Sequence, residues 1–499
     1  MIDQLTVLPL TSTRLLAVVY LVAVALAVLL VRPPSARRRA RAAASAAAAG
    51  AGEAGTAAAG AGEATRDSDE DARTLRRWWR RIVVAAVVGA GLGVLGSWVL
   101  GDVLDVAGVP PTWVDRVWFT AVVAGVAVAV ALLVGTSAAR RVVAGLGVVV
   151  FVLAGALAIN RDAGAYPTIA AALGTRTIAP LTVDPAAPAA ASTAFLPDLY
   201  ASWTPPAGMP ATGRYGTVHI PGTVSGFPAR DAVVYLPPAA LVAHAPALPV
   251  MMMLSGQPAN PDSVVTSGNI VRTLDGYAST HHGLAPIVVV PDQLSADDHN
   301  PMCVDGALGN SRTYLEDDVP AWITAHLRVQ SGASAWTIGG FSQGGTCAIQ
   351  FGSARPDLFG SLIDVSGEVG PSLGSVEQTV TDGFAGDRAA YDAAQPQAIM
   401  AAHAPYSDTA AFFAVGADDP TFGAAMTANS AAAEAAGMHV TRWVSPGTAH
   451  DWTTATRGFA VGIGDLYPRW GLSASALSPA DPGTPPAATA TPAASHGGS

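Results

Sequence analysis

The sequence predicts two structural classes in one chain: an all-α region of four membrane-spanning helices, then an α/β domain with its sheet covered on both faces. Three observations predict it. Four apolar runs dominate the first 160 of the 499 residues: about Leu15–Val31, Ile82–Leu104, Val117–Gly135 and Val142–Ile159. Beyond residue 194, short apolar runs alternate with helix-compatible segments, the pattern of a sheet packed between helices. Finally, Gly340-Phe341-Ser342-Gln343-Gly344 stands directly behind the apolar run Ala335–Ile338 and ahead of a helical stretch. Glycines two residues to either side of a serine let the backbone turn sharply from strand to helix, with the hydroxyl held clear of the sheet.

Composition agrees with a membrane region. Mean hydropathy is +0.37 and only 13% of residues are charged. Each apolar run is close to the ~20 residues that cross a hydrocarbon core. The first run does not read as a signal peptide, because Arg14 alone stands for a basic leader and no small-residue cleavage site follows. Charge is split along the chain. Residues 1–160 carry 15 arginines against 10 acids, residues 161–499 carry 12 against 27, and there is no lysine. An acidic second half repels phosphate and excludes a nucleic-acid partner.

Arginine placement sets an expected topology. Arg32, Arg37, Arg38, Arg39, Arg41, Arg66, Arg73, Arg76, Arg77, Arg80 and Arg81 lie between runs one and two, and Arg140 and Arg141 between runs three and four. The short segment between runs two and three holds Asp105, Asp115 and Arg116. The positive-inside rule then puts residues 32–81 in the cytoplasm, and the N-terminus and everything after residue 160 outside. The Ala/Gly tract Ala42–Ala64 reads as flexible, residues 161–194 as an Ala/Pro-rich tether, and 475–499 as a disordered tail.

Within residues 195–474 the expected strands are Gly216–Ile220, Ala232–Leu236, Pro249–Leu254, Pro286–Val290, Ala335–Ile338, Leu362–Val365, Ala411–Val415 and His439–Val444. The expected helices are Tyr314–Val329, Gly344–Ser353, Thr421–Ala436 and Trp452–Leu466. The first two strands lack an intervening helix, which predicts an antiparallel hairpin at the sheet edge.

A serine nucleophile needs a base, and the base an orienting acid. A second match to the glycine–serine pattern, Gly370-Pro371-Ser372-Leu373-Gly374, is rejected because Pro371 restricts the turn and no long helix follows. His450 follows the last strand and precedes a helix, so a loop there can aim it at Ser342. The acid is expected just after Ala411–Val415, in Gly416-Ala417-Asp418-Asp419-Pro420. Asp419 is favoured, with Asp418 and then Glu368 as alternatives. Either aspartate could instead cap the helix after Pro420. Two backbone N–H groups are candidates for stabilising an oxyanion: Gln343, just after the serine, and Gln257, in the turn Ser255-Gly256-Gln257-Pro258. The only cysteines are Cys303 and Cys347. If this half lies outside the cytoplasm they can pair, and otherwise they are two separate buried thiols. His281, His282, Asp297, Asp298 and His299 fit no metal-ligand spacing.

Together the Pro249–Pro258 segment, the 340–344 turn, the Gly416–Pro420 turn and His450-Asp451-Trp452 resemble the Putative esterase family of α/β-hydrolases, which includes esterase D-like enzymes and actinobacterial mycolyltransferases. The resemblance covers about residues 210–470. It implies an α/β-hydrolase fold and ester hydrolysis or acyl transfer through an acyl-serine, with no cofactor. It also implies Ser342 as nucleophile, His450 as base and Asp419 or Asp418 as acid. A membrane-anchored, extracytoplasmic serine esterase is the leading expectation, with an ester or acyl-lipid substrate. An acyltransferase using the same residues is one alternative. A non-catalytic hydrolase-fold binding or sensor module is the other.

Overall fold

The computed structural model describes residues 8–33, 59–104, 106, 111–175, 177–183 and 193–474. It divides into two compact units, Met1–Ile169 and Ala170–Ser499.

The first unit contains four long helices: α1 (Thr13–Val31), α2 (Ala59–Trp98, continuing as a π turn to Val103), α3 (Trp113–Ala131) and α4 (Ala138–Ala163). All four contain a stretch long and apolar enough to cross a membrane. Their starts and stops follow local chemistry. Ser12 caps α1 by accepting the Leu15 N–H. Thr112 and Asp115 form a reciprocal capping box on α3. Gly164 ends α4 with φ +65°, a conformation that favours glycine. Helices α2 and α3 approach closely where α2 carries Gly89 and Gly93. A Cβ there would meet Ala127 Cβ at 2.6 Å and Thr120 Cα at 2.7 Å, as in small-xxx-small packing between membrane helices.

The helices alternate in direction, and the ends that carry most of the arginines gather together. Trp78 Nε1 donates to Val31 O at 3.1 Å, Arg81 Nη2 to Val134 O at 2.8 Å and Arg140 Nη2 to Arg32 O at 2.6 Å. At the opposite end Arg116 holds Asp102 in a bidentate pair, and Thr112 Oγ1 donates to Asp162 at 2.9 Å. One expectation is corrected. The tract Ala42–Ala64 is not loop throughout, because α2 begins at Ala59. Alanine is the strongest helix former and simply extends the helix backward. The rest of that tract, and the tail 475–499, lie outside the described residues.

The second unit is built on an eight-stranded sheet. Its strands are β1 (Arg214–Val218), β2 (Ala232–Leu236), β3 (Val250–Leu254), β4 (Ile287–Val290), β5 (Trp336–Phe341), β6 (Ser361–Val365), β7 (Ala410–Gly416) and β8 (His439–Ser445). The spatial order is β8-β7-β6-β5-β3-β4-β2-β1. Strands β3 to β8 run parallel, while β2 is antiparallel to both β1 and β4. Every expected strand is present, and β1 and β2 form the edge hairpin. Strands β3, β4, β5 and β6 are buried along their whole length, which is why they lack the apolar–polar alternation of a half-exposed strand.

Helices α5 (Ile270–Thr280), α6 (Val319–His326), α7 (Gln343–Ala354), α8 (Pro396–His403), α9 (Pro420–Ala435) and α10 (Trp452–Leu466) accompany the sheet. The expected helix Tyr314–Val329 is shorter. A π turn at Tyr314–Asp318 leads into α6, and the chain is extended by Leu327. The segment 161–194 is more than a tether. Leu181 N–H donates to Thr217 O at 2.8 Å and Thr217 N–H to Ala179 O at 3.0 Å, so residues 179–181 pair with part of the exposed edge of β1. Thr193–Ala194 also pairs in parallel with Gln330–Ser331. An unpaired sheet edge is a liability, and this covering relieves it.

Candidate active site

Ser342, Asp419 and His450 each sit just past the carboxyl end of a parallel strand, which is where open α/β sheets place their sites. Ser342 joins β5 to α7 with φ +58° and ψ −121°, a backbone conformation that is unfavourable for a non-glycine residue. The flanking glycines allow it. A Cβ on Gly344 would collide with the backbone carbonyls of Leu254 and Ser255, and one on Gly340 with the backbone of Gly344. Ser342 is only half-buried, so its hydroxyl remains reachable.

His450 lies between β8 and α10, one residue before the α10 N-cap Asp451. Its Nε2 is 2.8 Å from Ser342 Oγ, and its Nδ1 is 3.2 Å from Asp419 Oδ2. Two aromatic rings pack on the imidazole: Phe422 at 3.7 Å and Phe341 at 4.9 Å between centroids. Trp452 then packs on Phe341 at 5.2 Å. The three hydrogen-bonding side chains form one continuous relay, with its serine end toward solvent.

The neighbouring aspartates separate by environment. Asp419 is 3% exposed and pairs with His450, while Asp418 is exposed. Asp419 makes the contacts that both readings of the sequence require. Its Oδ2 faces the imidazole, and its Oδ1 accepts the Phe422 N–H at 3.1 Å, capping α9. Glu368, the third candidate, lies after β6. Its own N–H donates to Thr346 Oγ1 at 2.9 Å, and burial pushes its carboxyl up to about 7.

The two candidate oxyanion donors lie on either side of Ser342. As the first residue of α7, Gln343 has an N–H with no acceptor within the helix. A Cβ on Gly256 would sit 3.3 Å from Ser342 Cβ, which puts the turn holding Gln257 against the serine. The side chains behind them were not legible in the sequence. Gln293 Nε2 donates to Ser255 O at 2.6 Å and to Gln343 Oε1 at 3.0 Å, and Gln343 Nε2 donates to Asn300 Oδ1 at 3.1 Å. Gln293 thereby ties the Ser255 turn to the start of α7. The loop carrying Gln293 and Asn300 is itself fixed by Asp292, which accepts from Arg230 and from the Leu294 and Ser295 N–H groups. The one available signal was position, since this loop leaves the carboxyl end of β4.

Cys303 and Cys347 are joined, bonding the same loop to the second turn of α7. Ser372 lies in a loop, where its Oγ accepts the Gly374 N–H at 3.1 Å. His281 packs against Tyr467 and Tyr277, where burial lowers its pKa. His282 stacks on Tyr200, and Asp297 pairs with Arg230.

One buried carboxyl lies on the strand beside the one that leads to Ser342. Asp364 in β6 is fully buried, pairs in register with Gly340, and accepts the Gly367 N–H at 2.8 Å. Its second oxygen has no partner among the described residues. Burial pushes its pKa up to about 7, against the lowering effect of the Gly367 bond. The folded protein therefore holds a proton that the unfolded chain releases near pH 4. The stability this contributes is complete below about pH 4 and is lost as pH rises through about 7, on the order of 4 kcal/mol in all. We expect Asp364→Asn, which stays neutral, to flatten the fall in unfolding midpoint between pH 4 and 8. Thermal unfolding by near-ultraviolet circular dichroism checks this, and an unchanged pH slope would refute it.

Parts of this chain are similar to known proteins. Residues 229–453 match the family model described as "Putative esterase". That match lies within the second unit. Among curated proteins, an uncharacterized protein of Corynebacterium glutamicum is 39% identical over 224 residues. That alignment covers 44% of this chain and 53% of the relative, so the chain matches about half the relative's length. Among solved structures, a ferulic acid esterase aligns with 52% of this chain and 99% of its own, at 15% identity and a TM-score of 0.44. An S-formylglutathione hydrolase from Agrobacterium tumefaciens aligns with 53% and 97%, at 20% identity and a TM-score of 0.43.

Proposed function

We propose that this chain is a membrane-anchored serine esterase that acts outside the cytoplasmic membrane and cleaves a carboxylic ester through an acyl-serine intermediate. One observation carries the reading: the Ser342–His450–Asp419 relay, inside the stretch that matches the Putative esterase model. Ser342 Oγ attacks the ester carbonyl while His450 Nε2 takes its proton. The tetrahedral oxyanion is held by the N–H groups of Gln343 and Gln257. As the intermediate collapses, the carbon–oxygen ester bond breaks and His450 returns the proton to the departing alkoxide, leaving acyl-Ser342. Water then attacks the acyl carbon, with its proton passing to His450. The second tetrahedral intermediate releases the carboxylic acid, and the proton returns to Ser342 Oγ. Asp419 keeps Nδ1 protonated, so that Nε2 faces Ser342 as an acceptor. Phe422 and Phe341 restrict rotation of the ring.

Three features support the cellular setting. Four helices are apolar and long enough to span a bilayer. Most of their arginines gather at one end, which by the positive-inside rule faces the cytoplasm and puts the end of α4 on the other side. The Cys303–Cys347 bond suits an oxidising compartment. A membrane-tethered esterase has ready access to lipid esters, which are the proposed substrate class.

The test is labelling of the detergent-purified full chain with a fluorophosphonate probe, followed by peptide mapping. An adduct on Ser342 that is absent in His450→Ala is the expected result. Folded protein that takes no label would overturn the enzyme reading.

A further inference from the structure

A groove of about 540 Å³ runs along one face of α2, lined by Arg77, Arg80, Arg81, Val84, Ala85, Val88 and by Ala131 at the end of α3. The α2 residues recur three and four apart and so form one stripe. At a rise of 1.5 Å per residue the stripe is roughly 16 Å long, cationic for its first turn and apolar for the next two. Arg81 is already engaged, donating to the backbone carbonyls of Ala131 and Val134 at the end of α3. Arg77 and Arg80 are exposed, and no carboxylate pairs with them among the described residues. Val84 and Val88 remain 52% and 54% exposed, while Ala85 and Ala131 are too small to fill the groove.

We propose that this groove binds an anionic phospholipid, with its phosphate against Arg77 and Arg80 and the upper part of one acyl chain along Val84, Ala85 and Val88. The proposal rests on the membrane-spanning reading above. Charge alone would suit any phosphate. The apolar continuation below the guanidinium groups selects a lipid over a free anion, and basic pockets at the cytoplasmic ends of membrane helices suit anionic headgroups. A zwitterionic lipid would bring a choline cation up against the same arginines.

Native mass spectrometry of the full chain in detergent, with phosphatidylglycerol and phosphatidylcholine of matched chains in equal amounts, tests the proposal. We expect a single-lipid adduct favouring phosphatidylglycerol by about tenfold or more. Arg77→Gln/Arg80→Gln should bring that preference to within about twofold. Arg73→Gln/Arg76→Gln removes the same charge from the same helix outside the groove and should leave the preference intact. Equal loss in both double variants would mean bulk charge and overturn the site. So would an equal preference for the two lipids in the unaltered protein, or displacement of phosphatidylglycerol by millimolar inorganic phosphate. Alkaline carbonate extraction of cell membranes separates the two levels. Chain retained in the membrane without lipid preference overturns the groove alone, whereas chain released by carbonate overturns the anchored reading as well.

Discussion

Alanine at His450 is expected to lower kcat/KM for an activated ester such as a p-nitrophenyl acyl ester roughly 10⁴- to 10⁶-fold, and alanine at Ser342 to do the same. The two effects should not add. Once either member is gone the relay cannot carry a proton, so the double variant should match the single ones. The two ring nitrogens of His450 face Ser342 and Asp419, while the adjacent Asp451, not His450, caps α10 by accepting the Thr454 N–H at 2.7 Å. The His450→Ala variant should fold with a lowered unfolding midpoint, because Phe422 and Phe341 lose the ring packed against them, while the rate falls far more than any loss of folded protein explains. Retention of more than about a tenth of the rate in His450→Ala would rule out this histidine as the base.

Asparagine at Asp419 is expected to cost about 10⁴-fold in kcat, whereas asparagine at Asp418 should cost less than about threefold. The asparagine amide can still cap α9 through its oxygen, which preserves the bond to the Phe422 N–H. Its NH2 then faces Nδ1, leaves that nitrogen unprotonated and moves the ring proton to Nε2. In that tautomer Nε2 donates and cannot take the serine proton. A steady-state comparison of the two variants on one ester separates the aspartates. A large loss in Asp418→Asn with a small one in Asp419→Asn would reverse the assignment.

Much of this architecture was legible because its signals are local. Hydropathy of the four N-terminal runs depends only on composition and length, and the helices found there begin and end within a few residues of the runs, apart from the long extension of α2 back to Ala59. The buried strands β3, β5 and β7 are continuous apolar segments, and a strand–glycine–serine–glycine–helix pattern is itself a statement of geometry. Chain order made His450 the natural base. Local signals failed where a residue has two competing local roles or where long separations decide. Asp418 and Asp419 have the same side chain and adjacent positions. Only the burial of one against His450, 31 residues away, distinguishes them.

The support of the Ser342 turn was out of reach of the sequence for the same reason. Gln293 and Asn300 sit in an ordinary polar loop, and their bonds to Ser255 and Gln343 span 38 to 50 residues. The partnership of Cys303 and Cys347 required the loop after β4 to fold back on α7. The edge of β1 is covered by 179–181, a segment whose Ala/Pro-rich composition reads only as a spacer. Amino-acid order alone thus marked the eight strands, four of the six helices named beside the sheet, and the succession of the candidate serine, acid and histidine along the chain, since steric and hydrophobic preferences act between near neighbours. Selection of the acid, locking of the Ser342 turn and formation of the arginine-lined groove came from packing. They depend on which distant surfaces exclude water together, and no window of sequence contains that information.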